Sequence, residues 1–301
     1  MSALGDALTP TIIDRDDESM RLRATIDPVF TIGPKVHGGS AQALIVNAAH
    51  AAHLALTGQE GVDLADVDGA AALPVAATST YLNAPDPAEV ELVARLVKRG
   101  RTVSVVDVEL SQGGRAMITT TVVIALLDHG EPRHSAAVPL RELPVEPAAD
   151  ALHLAGSPME EIMHMHPVVD FALDPATFPA AVGGRGEPTT RGWVRPTAAA
   201  ADLPFVTLVC DISPPVVMNL GVFGWAPTVT LATYLRRIPA AAPASDGGPG
   251  WLRFENRSIE VGQGMFESDH TVLDSTGVVV GQSRQLALIP AKPVPGPTSV
   301  K

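Results

Sequence analysis

Gln285 is a polar residue that the sequence places among small and apolar neighbours. Residues 278–289 alternate as a strand does, so Gln285 shares one face with Gly281 and Ala287, while Arg284 points to the other side. A buried amide needs hydrogen-bond partners. We therefore expect Gln285 either to make a structural hydrogen bond or to belong to a functional site.

Asp211 is a carboxylate in an otherwise apolar segment. Asp202 and Pro204 suit the start of a helix and Pro214 ends it, which predicts a helix from about Leu203 to Ser213. Burial among apolar residues raises the pKa of a carboxyl group, which suits a general base. The alternative is that Asp211 caps a local turn before Pro214 or faces solvent.

These side chains lie in a chain whose two halves repeat one order of elements: a strand, a helix and four strands. In the first half, His37-Gly38-Gly39-Ser40 opens a helix whose apolar positions recur with helical spacing. Residues 131–189, rich in Pro, Ala and Gly, are predicted as a linker between units over 21–130 and 190–292. The strands predicted after the two helices are residues 73–83, 89–99, 102–111 and 115–127, then 228–237, 251–261, 265–274 and 278–289.

Matching residues indicate that the halves are duplicates. Thr80-Tyr81-Leu82 and Thr233-Tyr234-Leu235 contain the only two tyrosines and fall on equivalent predicted strands. An antiparallel sheet has an edge strand to cover, and two copies can pair edge to edge. We expect an α+β fold of two strand–helix–four-strand units, in each of which an antiparallel sheet wraps one long helix.

Composition excludes several classes of function. The chain has 301 residues, and 33 acidic against 21 basic side chains give a net charge of −12 at pH 7. Such a surface repels phosphates and anionic lipids, so neither nucleic-acid binding nor membrane insertion is expected. The single cysteine, Cys210, excludes an internal disulfide, and the first residues do not resemble a secretion signal. We expect a cytoplasmic protein.

The histidines and glycines do not form a known metal or nucleotide motif. His50 and His53 lie three residues apart on the first predicted helix, but no further ligand has a fixed spacing to them, so a solvated helix surface is predicted. The sequence also lacks a phosphate-binding loop, a dinucleotide fingerprint and a Gly-x-Ser-x-Gly elbow. We predict neither a metal nor a cofactor.

Four short segments carry a resemblance to a known family: Val36-His37-Gly38-Gly39, Tyr81-Leu82-Asn83-Ala84-Pro85, Gly100-Arg101-Thr102-Val103-Ser104 and Val280-Gly281-Gln282-Ser283-Arg284-Gln285. Together they resemble the double hotdog acyl-CoA thioesterases of the bacterial thioesterase II type. The resemblance covers about residues 21–127 and 190–290. It implies a double hotdog fold and an acyl-CoA substrate.

The resemblance also implies site residues. In that family an Asp, a Thr or Ser and a Gln of the C-terminal unit hold the attacking water. The Gln position falls on Gln285, the Asp position on Thr230, and the Thr position on Arg257 or Ser258. A threonine hydroxyl cannot act as a general base at neutral pH. Asp211 is therefore the candidate replacement base, since other hotdog thioesterases place a carboxylate on the central helix.

The helix entry supplies the remaining predicted contacts. In the family, backbone N–H groups at a helix N-terminus stabilise the oxyanion that develops on the thioester carbonyl. That position falls on Gly38 and Gly39. His37 is predicted to contact the thioester or the pantetheine arm, or alternatively to bond only to the backbone.

The predicted function is hydrolysis of an acyl-CoA thioester to a free acid and CoA. The alternative is a non-catalytic acyl-CoA or acyl-carrier binding protein, because binding can persist where the base is lost. A dehydratase acting on an acyl-CoA is a third reading. Either a monomer or a homo-oligomer is compatible with the sequence, because a double hotdog already contains the pair that single hotdogs form as dimers.

Overall fold

The computed structural model describes residues 5, 7–59, 72–126, 130–240 and 242–297, within which lie two α-helices and sixteen strands. The first half contains α1 (Gly38–Thr57) and strands β1 (Thr11–Arg15), β2 (Ser19–Thr25), β3 (Thr31–Ile32), β4 (Lys35–Val36), β5 (Ala72–Tyr81), β6 (Glu89–Lys98), β7 (Val103–Gln112) and β8 (Arg115–Leu126). The second half contains α2 (Leu203–Val209) and strands β9 (Leu152–His153), β10 (Val169–Leu173), β11 (Thr189–Pro196), β12 (Thr228–Leu235), β13 (Leu252–Arg257), β14 (Val261–Gly262), β15 (Met265–Leu273) and β16 (Val279–Leu288).

Fourteen strands form one continuous sheet in the order β1-β2-β6-β7-β8-β5-β12-β16-β15-β13-β11-β10-β9, with β14 beside β15. The two halves of the chain join where β5 and β12 pair antiparallel, with Ser79 opposite Leu231. This pairing removes an edge from each half, because the backbone groups of both strands are satisfied by one another. The predicted strands after each helix are present within a few residues of their predicted ends.

Helix α1 is buried against the inner face of this sheet. The His37 ring Nδ1 accepts from the Ser40 N–H at its start, and Gly58 ends it at a φ of 73°, which glycine adopts without steric cost. Leu44 and Ile45 are almost fully buried, and each contributes about 1.5–3 kcal/mol by leaving water. The predicted start of this helix is confirmed.

Gln42 ties α1 to both halves of the sheet. Its Nε2 donates to Ser79 Oγ at 2.9 Å and to the Leu231 carbonyl oxygen at 3.1 Å. Its Oε1 accepts from Thr233 Oγ1 at 2.7 Å. A buried amide whose donors and acceptor are satisfied specifies one arrangement of its surroundings. The start of α1 is therefore fixed over the strand pair where the halves meet.

Helix α2 is shorter than the sequence predicts. Asp202 caps it by accepting a backbone N–H of the first turn at 2.8 Å, as expected. The regular helix nevertheless ends at Val209 and not at Ser213. Ser213 precedes Pro214, and proline disfavours the helical conformation in the residue before it. The chain consequently leaves the helix early and turns toward the sheet.

The prediction of a solvated surface at His50 and His53 is wrong. Both side chains are buried, and His50 Nε2 lies 3.2 Å from the Ala72 carbonyl oxygen. Burial lowers the pKa of His50 to about 4. The reason is that α1 is covered on more than one side, so its polar positions are enclosed as well as its apolar ones.

The two tyrosines do not occupy equivalent environments. Tyr81 points into the protein and donates to the Gly38 carbonyl oxygen at 2.8 Å, whereas the Tyr234 side chain is 49% exposed. Side chains alternate along a strand, so an offset of one residue moves a side chain to the opposite face. The matching Thr-Tyr-Leu triplets therefore do not mark structurally matching positions.

Residues 131–189, between the two predicted units, add strands to one end of the sheet. Strand β10 pairs antiparallel with β11, with Phe171 opposite Val194, and β9 pairs with β10.

Of the helices in the described ranges, neither combines the length and the apolar character needed to cross a lipid bilayer.

Candidate active site

The end of α2, the start of α1 and strands β12 and β16 converge around Asp211. Asp211 lies two residues beyond α2, and its N–H donates to the Leu208 carbonyl oxygen at 3.1 Å. The Ser283 hydroxyl on β16 donates to the Cys210 carbonyl oxygen at 2.5 Å. These bonds hold the turn that carries Asp211, whose side chain is only 8% exposed.

Gln285 is the centre of a buried hydrogen-bond cluster. Its Nε2 donates to Asp211 Oδ1 at 2.6 Å and to Thr228 Oγ1 at 2.7 Å. Its Oε1 accepts from Ser268 Oγ at 3.4 Å. The amide is therefore held by partners on β12, on β15 and beyond α2, and the structure brings the predicted residues Gln285 and Asp211 together.

The Asp211 carboxylate is buried but surrounded by compensating groups. Burial raises the pKa of Asp211 above its usual value of 3.8, because an ion is less stable away from water. His37, the Gly39 N–H and Gln285 act in the opposite direction and lower it. The N-terminal end of α1 also favours a negative charge. Such a carboxylate can bind a proton more readily than a solvated one.

His37 uses both ring nitrogens within the chain. Its Nδ1 accepts from the Ser40 N–H at 3.2 Å, and its Nε2 lies 2.8 Å from the Asp211 carbonyl oxygen and 3.6 Å from carboxylate Oδ2. A carbonyl oxygen can only accept, so Nε2 carries the proton and one tautomer is fixed. His37 positions Asp211, and its contact with substrate stays a prediction.

Gly38 and Gly39 allow α1 to approach Asp211 closely. A Cβ at Gly38 would lie 2.6 Å from Asp211 Oδ2, 3.5 Å from Tyr81 Oη and 3.6 Å from Thr228 Oγ1. A Cβ at Gly39 would lie 2.6 Å from the Leu208 carbonyl oxygen and 2.8 Å from Asp211 Cβ. Only glycine allows this approach, because a side chain at either position would collide with Asp211 or with the Leu208 carbonyl oxygen.

Thr230 does not lie beside Gln285, and the neighbouring threonine is Thr228. Strand β12 contains a bulge between Thr228 and Thr230, so Thr228 pairs with Ala287 and Thr230 with Leu286. Ala287 is two residues from Gln285 and shares its face, whereas Leu286 points to the other side. Because of this bulge, Thr228 and not the predicted Thr230 lies on the face of Gln285.

Ser258 is also separated from Gln285, and its place is taken by Ser268. Strand β15 lies between β13 and β16 in the sheet, so residues near the end of β13 are not adjacent to β16. Ser258 Oγ instead donates to the Glu260 carbonyl oxygen at 3.1 Å. Arg257, the other predicted register, is exposed. Ser268 pairs directly with Gln285.

Two residues of the cluster were not predicted, Thr228 and Ser268, nor was the contact of Tyr81 with the Gly38 carbonyl oxygen. Ser268 shares its parity with the buried positions Phe266 and His270 of β15, and that parity could have placed it on the inner face. No sequence pattern indicates the bulge that brings Thr228 to the face of Gln285. Nowhere in the described ranges do three His, Cys, Asp or Glu side chains come together as metal ligands would. The arrangement joins a carboxylate, an amide and a hydroxyl by hydrogen bonds.

Comparison with known proteins places the chain in a family. The acyl-CoA thioesterase N-terminal domain matches residues 25–127, and the acyl-CoA thioesterase C-terminal domain matches residues 141–289. The Mycobacterium tuberculosis relative named uncharacterized protein Rv0499 is 37% identical over 306 residues, which cover 95% of this chain and 97% of the relative.

Solved structures share the fold over nearly the whole chain. A Thermobifida fusca protein assigned as a thioesterase II is 28% identical with a TM-score of 0.76, covering 96% of this chain and 98% of that one. A conserved protein of unknown function with a hot dog fold from Alicyclobacillus acidocaldarius is 19% identical with a TM-score of 0.71, covering 97% and 99%. The matches to both thioesterase domains, together with this shared fold, show that the protein belongs to the double hotdog family of acyl-CoA thioesterases and is a thioesterase.

Proposed function

We propose that this thioesterase hydrolyses its acyl-CoA substrate with a water molecule held by Asp211 and Thr228, both of which Gln285 positions. The observation that carries the proposal is the position of Gln285 Nε2, which is 2.6 Å from Asp211 Oδ1 and 2.7 Å from Thr228 Oγ1. Asp211 Oδ2 and Thr228 Oγ1 both lie close to the start of α1, 2.6 Å and 3.6 Å from the place that a Cβ of Gly38 would take, and we place the water beside these two oxygens.

Asp211 acts as the general base in this proposal. The water oxygen forms a bond to the thioester carbonyl carbon while one water proton moves to the Asp211 carboxylate. The tetrahedral intermediate then collapses, the carbon–sulfur bond breaks, and Asp211 returns the proton to the CoA sulfur. The products are a free acid and CoA with its thiol. The raised pKa of the buried Asp211 carboxyl suits both proton transfers.

The first turn of α1 supplies the group that stabilises the oxyanion. The Gly39 N–H already donates to Asp211, so we assign this role to the Gly38 N–H. Within the described part of the chain that N–H has no hydrogen-bond acceptor of its own. A free N–H at a helix N-terminus favours negative charge that develops on a nearby oxygen.

The non-catalytic alternative rested on the missing carboxylate at Thr230. Asp211 brings a carboxylate to Gln285 from the end of α2, which restores the set of carboxylate, hydroxyl and amide. That contact favours hydrolysis over binding alone.

For the division of the chain we propose units over 21–130 and 190–292, each a sheet packed on its helix, with 131–189 between them. The N-terminal domain match over 25–127 supports the first unit.

Thiol release from a panel of straight-chain acyl-CoAs, from acetyl to palmitoyl, tests the proposal. Asp211→Asn is expected to lower kcat by at least about 100-fold, since removing a general base costs about 10²–10⁴. Gln285→Ala is expected to lower kcat without unfolding the protein. Asp269→Asn is the control, because Asp269 pairs with Arg284 at 2.9 Å and does not contact the cluster.

Two outcomes would contradict the proposal. Full activity of Asp211→Asn would show that another group accepts the proton. Saturable binding of acyl-CoA with no thiol release by the wild-type protein would support the non-catalytic alternative. Release that saturates with one class of chain length and disappears in Asp211→Asn would establish both the reaction and the base.

A further inference from the structure

Of the two tyrosines in the chain, Tyr81 lies beside the hydrogen-bond cluster around Gln285 and Asp211. Tyr81 is the last residue of β5, in the first half of the chain, and its hydroxyl donates to the Gly38 carbonyl oxygen at 2.8 Å. The place that a Cβ of Gly38 would take lies 3.5 Å from Tyr81 Oη and 2.6 Å from Asp211 Oδ2. The phenol hydroxyl and the carboxylate therefore both lie close to the first turn of α1.

The Gly38 carbonyl and the Gly39 N–H belong to the same peptide group, and each end of it has a partner. The carbonyl oxygen accepts from Tyr81, and the N–H donates to Asp211. A hydrogen bond at one end of a peptide group polarises the group and so strengthens the hydrogen bond at its other end. A chain of contacts thus runs from the Tyr81 hydroxyl through one peptide to the Asp211 carboxylate.

This peptide joins two glycines, so its own residues restrain it little. Gly38 and Gly39 are the first two residues of α1, and glycine has more backbone freedom than any other residue. The N–H groups of a first helical turn also have no acceptor inside the helix. Tyr81 comes from a different element, and its partly buried ring packs against the hydrophobic core. It can therefore fix the orientation of the peptide from outside the helix.

The other titratable groups around Asp211 are His37 at the start of α1, Cys210 in the same turn, and His270 on β15 near His37. Burial raises the pKa of the Tyr81 hydroxyl above 10 and that of the Cys210 thiol above 9, and it lowers the pKa of His270 to about 3. These three groups are neutral between about pH 4 and 8. The Tyr81 hydroxyl consequently keeps its proton and donates to Gly38 throughout that range.

We propose that Tyr81 is a positioning residue of the thioesterase reaction, which fixes the Gly38–Gly39 peptide and thereby strengthens the hydrogen bond from the Gly39 N–H to Asp211. This inference rests on the proposed function, because Tyr81 acts through Asp211 as the base. The Gly39 N–H lowers the pKa of Asp211. Loss of the Tyr81 hydroxyl weakens that hydrogen bond and should therefore raise the pKa of Asp211.

Tyr81→Phe tests the inference, because it removes the hydroxyl and keeps the ring. The base must be ionised, so the acid limb of kcat/KM should move to higher pH by about half a pH unit. On the plateau, kcat should fall about three- to tenfold, the effect of one hydrogen bond, while KM stays within about twofold. Tyr234→Phe is the matched control, because Tyr234 is the other tyrosine and its side chain is 49% exposed. Its pH profile should coincide with that of the wild type.

A double-mutant cycle shows whether Tyr81 acts through Asp211. In an Asp211→Asn background, Tyr81→Phe should change the residual kcat by less than about twofold, because the carboxylate that Tyr81 positions is already absent. An equal loss of kcat in both backgrounds, with an unmoved acid limb, would give Tyr81 a structural role only and overturn the inference.

Two further outcomes separate this inference from the proposed function. A Tyr81→Phe variant with the kcat and the pH profile of the wild type would overturn the inference and leave Asp211 as the base. Full activity of Asp211→Asn would overturn the proposed function and the role of Tyr81 together.

Discussion

Gln285 Nε2 lies 2.6 Å from Asp211 Oδ1, and this contact joins the last strand of the sheet to the turn that follows α2. The two residues are 74 positions apart in sequence. The contact has a chemical consequence, since it holds a buried carboxylate in one orientation beside the N-terminal end of α1.

The pH profile should report Asp211. The base must be ionised, so kcat/KM falls as the pH drops through its pKa, which burial raises above 3.8. His37 lowers that pKa. His37→Asn retains a helix-capping side chain and should move the acid limb of the profile to higher pH. His153→Asn, at an exposed position, should leave the limb unmoved. A shift of the His37 variant to lower pH would contradict the assignment.

The two threonines of β12 give a matched pair of variants. Thr228→Val removes the hydroxyl that accepts from Gln285 at 2.7 Å, and kcat should fall about tenfold, the equivalent of about 1.4 kcal/mol. Thr230→Val should stay within about twofold of wild type, because Thr230 lies opposite Leu286 on the other face. Steady-state thiol release measures kcat of both variants. A larger loss in Thr230→Val than in Thr228→Val would mean that Thr230 shares the face of Gln285 and that the bulge lies elsewhere in β12.

The two serines give a second pair. Ser268→Ala removes a long hydrogen bond to Gln285 Oε1 at 3.4 Å, so we expect kcat to fall by about two- to fivefold. Ser258→Ala breaks a contact with the Glu260 carbonyl oxygen and should leave kcat unchanged, with a stability loss of about 1 kcal/mol or less in urea. If Ser258→Ala lowered kcat more than Ser268→Ala, then Ser258, which the family resemblance implies, would be the functional serine.

Gly39 tests the close approach of α1 to the Asp211 turn. A Cβ there would lie 2.6 Å from the Leu208 carbonyl oxygen, so Gly39→Ala should lower the free energy of unfolding by about 1–3 kcal/mol. Activity should fall as well, since Asp211 must move. Gly262→Ala is the control, because no atom lies within 4 Å of its added Cβ. The urea midpoint of unfolding of Gly39→Ala should lie clearly below that of Gly262→Ala.

Much of the fold could be predicted from local patterns. The start of α1 at His37 followed from the glycines and the apolar spacing, and the Asp202 cap followed from the proline after it. Strand alternation also placed Gln285 on a buried face. The burial of His50 could not be predicted in this way, because it depends on which elements cover α1 and not on α1 itself.

The sequence by itself determined the order of the two helices and of the strands that follow each of them, because turn residues and side-chain periodicity act over a few neighbours. It also identified Gln285 and Asp211 as polar groups in apolar surroundings. Only the tertiary structure decided which groups meet. The bulge in β12 selects Thr228 over Thr230, and the strand order puts Ser268 beside Gln285. Such contacts depend on sheet pairing between distant segments, and a shift of one residue reverses every face.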